Sequence, residues 1–273
     1  MIRLIACDLD GTLLDPSGAL PQGIFETIEK LYKRGILFCP ASGRQAVALE
    51  KMFAPVADKI LIMAENGAIV WRGGKTLYCD SIPAERVGDA LAAVKTLRRA
   101  HALLCTPGCA YFEDDVQPFV KYVAASYLHN ARGDFAEIAA ENPVCKIAVF
   151  DECGPENDGM RVLPSLLPDL RIIQSGGNWL DISAPTSNKG RAMQFMQKML
   201  GVSPDECAAF GDHMNDLEML LACKYAYAPE NAYEGVKARI AGRVPSNAEN
   251  GVPRALEAIA EGKFGDDLPQ EIR

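Results

Sequence analysis

Residues 2–7 form an almost purely apolar run that stops at Asp8-Leu9-Asp10-Gly11-Thr12. A strand that is apolar on both faces must be covered on both faces. That is the condition of a parallel sheet flanked by helices. The pattern recurs along the chain. Ile24, Ile28, Leu31 and Tyr32 follow at helical spacing, and Gly35 closes that helix. Residues 36–39 read as a second buried-type strand, ending at Pro40-Ala41-Ser42-Gly43-Arg44. Residues 45–53 read as a helix, and residues 60–63 as a third strand before Glu65-Asn66-Gly67. Residues 68–71 and 76–79 flank Arg72-Gly73-Gly74-Lys75 as a hairpin.

The texture then changes. Residues 84–100 read as one long helix, and 116–128 as another. Strand-like runs fall at 102–105, 110–113, 144–150, 170–174 and 179–183, giving an α+β region of domain size. After it the α/β alternation returns. Residues 189–200 read as helix, 206–210 as strand, 215–221 as helix and 225–228 as strand, with helices at 233–240 and 251–261. The expected fold is α/β: a doubly wound parallel sheet interrupted by an inserted α+β domain. The expected division is 1–80 and 185–273 for the sheet domain and 81–184 for the insertion, with hinges at 80–83 and 184–187. Pro83 and Pro185 mark those junctions.

Composition removes several function classes. Twenty-eight Lys+Arg against 36 Asp+Glu give a net charge of −8, and there is no basic block, which argues against nucleic acid as a partner. No apolar run approaches the roughly 18 residues that span a membrane, so no membrane partner is expected. The first apolar run ends at Asp8, so no export signal is read there. Nine cysteines lie at irregular spacing, and the nearest pair, Cys105 and Cys109, lacks the usual zinc-site interval. They are expected to be reduced thiols, most of them small core residues, in a cytoplasmic protein.

Four motifs carry polar chemistry, and all stand at element ends in the α/β segments. Asp8 and Asp10 follow the first strand, where ligands of a parallel sheet bind. Two carboxylates so close repel unless a cation lies between them, and carboxylate oxygens suit Mg²⁺. A plain Asp-Gly turn fits the same letters. Ser42-Gly43-Arg44 ends the second strand with a hydroxyl and a free backbone N–H suited to an anion, though Ser-Gly is also a common turn. Lys189 opens a helix, against the helix dipole, which suggests a local task such as anion binding; a solvated lysine is the alternative. Gly211-Asp212-His213-Met214-Asn215-Asp216 follows another buried strand, with Asp216 equally readable as a helix N-terminal charge.

In this order the motifs resemble the haloacid dehalogenase superfamily, and the size and place of the middle region resemble its Cof-type branch, with a large α/β cap inserted after the third core strand. Asn66-Gly67, Asn231-Ala232 and Asn250-Gly251-Val252 match that branch as well. Ser42 stands where threonine is common, Asn188 where a small or hydroxyl residue is usual, and Ala228-Pro229-Glu230 where an apolar, Gly-containing stretch is common.

The resemblance implies a Mg²⁺-dependent phosphatase of small phosphorylated metabolites, such as sugar phosphates or phosphorylated cofactors. Asp8 is the implied nucleophile, forming an aspartyl-phosphate, and Asp10 the implied acid and base. Asp8, Asp212 and the Asp10 carbonyl are the implied metal ligands. Ser42, Gly43 and Lys189 hold phosphoryl oxygens, Asn215 contacts phosphate or supports the metal shell, and Asp216 orients Lys189 or a metal-bound water. A phosphomutase using the same aspartyl-phosphate, or a non-catalytic binding protein on this fold, are the alternative readings. His213 is expected in an exposed loop without a role in that chemistry. His101 and His129 are expected at surface or core positions, Trp71 and Trp179 in the core with a cleft lining as the alternative, and Cys7 as a packing residue rather than a redox control.

Overall fold

The computed structural model describes residues 1–263; residues 264–273, the end of the expected second sheet segment, lie outside them. The chain divides into two compact units. One comprises residues 1–43, 49–78 and 188 onward, and the other residues 44–48 and 79–187.

The first strands are β1 (Leu4–Asp8), β2 (Leu37–Ala41), β3 (Ile62–Ala64), β4 (Ile69–Arg72) and β5 (Lys75–Cys79). The second unit contributes β6 (Ala100–Cys105), β7 (Ala110–Phe112), β8 (Asn130–Arg132), β9 (Lys146–Asp151), β10 (Arg171–Gly176) and β11 (Trp179–Ser183). The chain then returns through β12 (Cys207–Phe210), β13 (Tyr225–Pro229) and β14 (Gly242–Val244).

In the first unit one sheet runs in the order β14-β13-β12-β1-β2-β3-β4-β5. Every pairing from β14 across to β3 is parallel, and β4 turns back antiparallel on β3. All five residues of β1 are buried, as a strand covered on both faces requires. Side chains alternate between the faces. Leu4 and Ala6 share a cluster with Ala192, Met193 and Met196 of the helix Lys189–Leu200 and with Met219 and Leu220 of the helix Leu217–Leu221. Asp8 has the parity of Leu4 and Ala6, so its carboxylate leaves the strand on the side where Lys189 begins that helix. The strand order β12-β1-β2 also sets three carboxyl ends side by side, and these carry Asp212, Asp8 and Ser42.

In the second unit the order is β10-β11-β9-β6-β7-β8, antiparallel except for the parallel β7–β8 edge. One face packs Leu104, Ile147, Val149, Leu180 and Ile182 against residues of the helices Ala84–Val94 and Gly159–Leu166. On the other face the register aligns His101, Phe150 and Trp179. Phe119 of the helix Phe119–Ser126 lies within about ring-contact distance of all three, its ring stacked on His101 at 5.0 Å.

The α/β parallel sheet and the separate α+β sheet agree with the sequence reading; several elements do not. The helix expected over 84–100 ends at Val94, because residues from Ala100 onward pair with β9 as strand β6. The helices Phe135–Glu141 and Gly159–Leu166 and the strands β8 and β14 were not anticipated. The helix expected over 233–240 is only Glu234–Lys237. All nine cysteines are free, and Trp71 is buried.

Candidate active site

Lys189 organises the site. It is completely buried, and its Nζ lies 2.5 Å from Asp8 Oδ1 and 2.5 Å from Asp216 Oδ1. It also donates to the Ala41 carbonyl at 3.3 Å, at the end of β2. One ammonium thus ties together the ends of β1 and β2, the loop after β12 and its own helix. Burial pushes the Lys189 pKa down, but the charges of Asp8 and Asp216 outweigh it and hold the group above its ordinary value, so it is a fixed cation. Asn188 caps the helix, its Oδ1 accepting from the Arg191 N–H at 2.9 Å. The residue that departs from the commoner pattern therefore supplies the cap that starts the Lys189 helix.

Asp216 is fully buried, and both its oxygens are engaged. Oδ1 takes Lys189, and Oδ2 accepts the backbone N–H groups of Asp212 and His213, each at 3.1 Å. It therefore shapes the loop that presents Asp212. Thr12 Oγ1 donates to Asp212 Oδ1 at 3.2 Å from the turn after β1. Gly11 lies between them with φ +83°, and a Cβ there would sit 2.3 Å from Asp212 Oδ2. Only glycine allows the two strand ends to approach this closely.

Asp8, Asp212 and Asp216 each place a carboxylate oxygen within 4.8 Å of the others'. Burial pushes the Asp8 carboxyl up to about 8; Lys189 pulls it down, and Asp216 adds to the rise. Burial likewise pushes Asp212 up to about 6, with Asp216 adding and Thr12 opposing. Crowded hard oxygens that resist ionising together are what a small divalent cation relieves, so the donor set fits Mg²⁺. With Asp216 occupied by Lys189 and two N–H groups, Asp8 and Asp212 are the carboxylates able to hold it.

Ser42 is buried, its N–H donating to Met63 O and its carbonyl accepting from Asn66 N–H. Gly43 is beside it, with a Cβ there falling 3.0 Å from Asn66 Nδ2. Asn66 adopts φ +55°, and its Oδ1 accepts from Asn215 Nδ2 at 3.3 Å. A chain of contacts thus connects Ser42 and Gly43 through Asn66 to Asn215. Asp10 is exposed beyond β1. The sequence reading assigned no role to Thr12, Asn66 or Asn231, whose Nδ2 donates to Gly11 O at 2.7 Å. All three lay inside quoted motifs, so position beside an acid or glycine was the available signal. Cys7 is buried, its thiol pushed up by burial and by Asp8, as befits packing.

A protein-family model for haloacid dehalogenase-like hydrolases matches residues 5–256. The chain belongs to the haloacid dehalogenase-like hydrolase family. Among relatives, 5-amino-6-(5-phospho-D-ribitylamino)uracil phosphatase YbjI of Escherichia coli is 27% identical over 94% of this chain and 96% of its own length. The HMP-PP phosphatase of Escherichia coli is 26% identical over 88% of each chain. The crystal structure of TM0651 from Thermotoga maritima superposes with a TM-score of 0.82 at 26% identity, over 98% of this chain and all of that one. The family assignment makes this chain a hydrolase. No helix among the described residues is long and apolar enough to cross a membrane.

Proposed function

We propose that this enzyme is a Mg²⁺-dependent phosphatase of small phosphorylated metabolites, working through an aspartyl-phosphate on Asp8, with residues 79–187 as its inserted cap domain. The observation that carries the reading is the buried Lys189 held between Asp8 and Asp216, with Asp212 alongside. Relatives across nearly the whole chain bear phosphatase names, one of them for a phosphorylated ribitylaminouracil, which supports a small organic phosphate as substrate.

Asp8 Oδ forms a bond to phosphorus as the P–O bond to the leaving group breaks. Asp10 gives its proton to the departing oxygen, then takes one from the water that cleaves the acyl phosphate. Lys189 and the Ser42–Gly43 turn receive the phosphoryl oxygens, where charge must be held. Asp8 and Asp212 would hold a divalent cation, which would neutralise the carboxylates and the incoming dianion. Asp216 keeps Lys189 and the Asp212 loop in position. Phosphate release from p-nitrophenyl phosphate and from a panel of sugar phosphates, nucleotides and phosphorylated cofactors, with Mg²⁺ and with EDTA, tests the reading. Release that requires Mg²⁺ is expected. Undiminished turnover after exhaustive chelation would refute the metal-dependent mechanism.

A further inference from the structure

Two rings stand exposed beside Asp212 without a part in the phosphoryl chemistry. His213, the next residue, is exposed, and Tyr233 is 56% exposed. Their ring centroids lie 5.6 Å apart at 45°. Neither is a loose surface side chain. The Tyr233 N–H donates to the Asp212 carbonyl at 2.8 Å, and the His213 N–H donates to Asp216. The Tyr233 ring is seated as well: a Cβ at Gly235 would lie 2.8 Å from Tyr233 Cε1 and 3.1 Å from Met214 Sδ. The ring thus occupies the space that any larger residue at 235 would take. The backbones of both residues are tied by hydrogen bonds to the two acids that frame the site, while both side chains remain exposed.

From this juxtaposition we infer that His213 and Tyr233 form a ledge that stacks a planar ring in the leaving group, making ring-bearing phosphates the preferred substrate class. The inference rests on the phosphatase reading of the same site. An aromatic pair gives a ring a contact that an aliphatic polyol cannot replace, because stacking needs a flat partner. The seat of the Tyr233 ring against Gly235 reduces the side-chain ordering that binding requires. Side-chain replacement at 233 leaves the N–H bond to Asp212 in place, so the ledge can be altered without releasing the acid loop.

The test compares kcat/KM for flavin mononucleotide, which carries a ring, with that for glycerol 3-phosphate, which does not. Wild type, Tyr233→Phe, Tyr233→Leu and Gly235→Ala are measured. Wild type should favour the ring substrate. Tyr233→Leu should lose about tenfold of that preference, chiefly through KM. Tyr233→Phe should keep it, and Gly235→Ala, which displaces the ring, should reduce it in part. Equal losses on both substrates, or no ring preference in wild type, would overturn the ledge while leaving the phosphatase reading intact. If no phosphate is hydrolysed at all, the phosphatase reading fails. The ledge is then judged by quenching of flavin mononucleotide fluorescence: quenching in wild type that is lost in Tyr233→Leu sustains it, and its absence in wild type overturns it.

Discussion

Each unit holds a buried cluster with acids at ligand-to-ligand distances within 4.8 Å: Asp8, Asp212 and Asp216 in the first, and Asp151, Cys153 and Asp158 in the second. Their composition is nearly the same, but their hydrogen bonds differ. Asp151 Oδ1 accepts the Cys153 N–H and its Oδ2 the Gly159 N–H, each at 2.9 Å. Asp158 Oδ2 accepts the Arg98 N–H at 3.0 Å and faces the Arg98 guanidinium at 3.6 Å. Those acids satisfy backbone donors at a turn and a helix start, and so act as structure. In the first unit only Asp216 is saturated in this way. Asp8 and Asp212 are crowded instead, with carboxyls pushed up to about 8 and about 6. Proximity of acids alone therefore does not mark a reactive site; burial of carboxylates whose ionised form the surrounding donors do not fully offset does.

The largest contrast should come from removing the two leading acids in turn. Asp8→Asn is nearly isosteric and should lower kcat by on the order of 10³-fold or more, because it removes the proposed nucleophile. It should not lower the melting temperature in EDTA at pH 8, because it deletes a buried charge that the fold holds at a cost. A variant with more than a few per cent of wild-type turnover would show that Asp8 does not attack phosphorus.

Lys189→Met comes next. It leaves Asp8 and Asp216 buried without their shared cation, and urea denaturation should show a loss of about 3–5 kcal/mol. A loss below about 1 kcal/mol would mean that the ammonium is not the organising charge. On the other side of the comparison, Asp151→Ala strands two backbone N–H groups and should cost roughly 1–3 kcal/mol. The Mg²⁺-induced rise in melting temperature should stay as in wild type. A diminished rise would place the second cluster among the metal sites.

The smallest effect sharpens the pH side. The folded carboxyls of Asp8 and Asp212 bind protons more tightly than unfolded ones, whose pKa is about 3.9. The stability they contribute is therefore full below that value and is lost as pH rises through about 6 for Asp212 and about 8 for Asp8. In EDTA the melting temperature should decline across that window, and less steeply in Asp212→Asn. The increment from Mg²⁺ should grow over the same range, since ligation needs ionised carboxylates. An increment that shrinks with rising pH would contradict this.

How much was legible in the sequence follows from how each element is stabilised. Strands β1, β2 and β12 were readable because burial on both faces writes an apolar run, and the polar residues ending those runs mark the site. Strand β14 and the edge strand β8 have three residues each, too few for any periodicity. The helix Gly159–Leu166 contains Pro164 and begins at a glycine, both of which read as breakers. The helix Phe135–Glu141 did carry a signal, since Asp134 caps it by accepting the N–H groups of Ala136 and Glu137. The helix from Ala84 was read too long because nothing local stops it; pairing of Ala100–Cys105 with β9 does. At the site, residue types revealed the acids and Lys189. The engagement of Asp216 by Lys189 and two backbone N–H groups, the left-handed turn at Asn66 and the bond from Thr12 to Asp212 are tertiary facts that no spacing encodes.

The central claim is that Asp8 and Asp212, buried carboxylates whose charge their neighbours only partly offset, make the first cluster the metal-holding site, while the second serves only structure. Titration calorimetry of Mg²⁺ into wild type, Asp212→Asn and Asp151→Asn at pH 8 tests it most directly. The account predicts a binding isotherm in wild type that persists in Asp151→Asn and disappears in Asp212→Asn. An isotherm that survives Asp212→Asn, or is lost in Asp151→Asn, would contradict it.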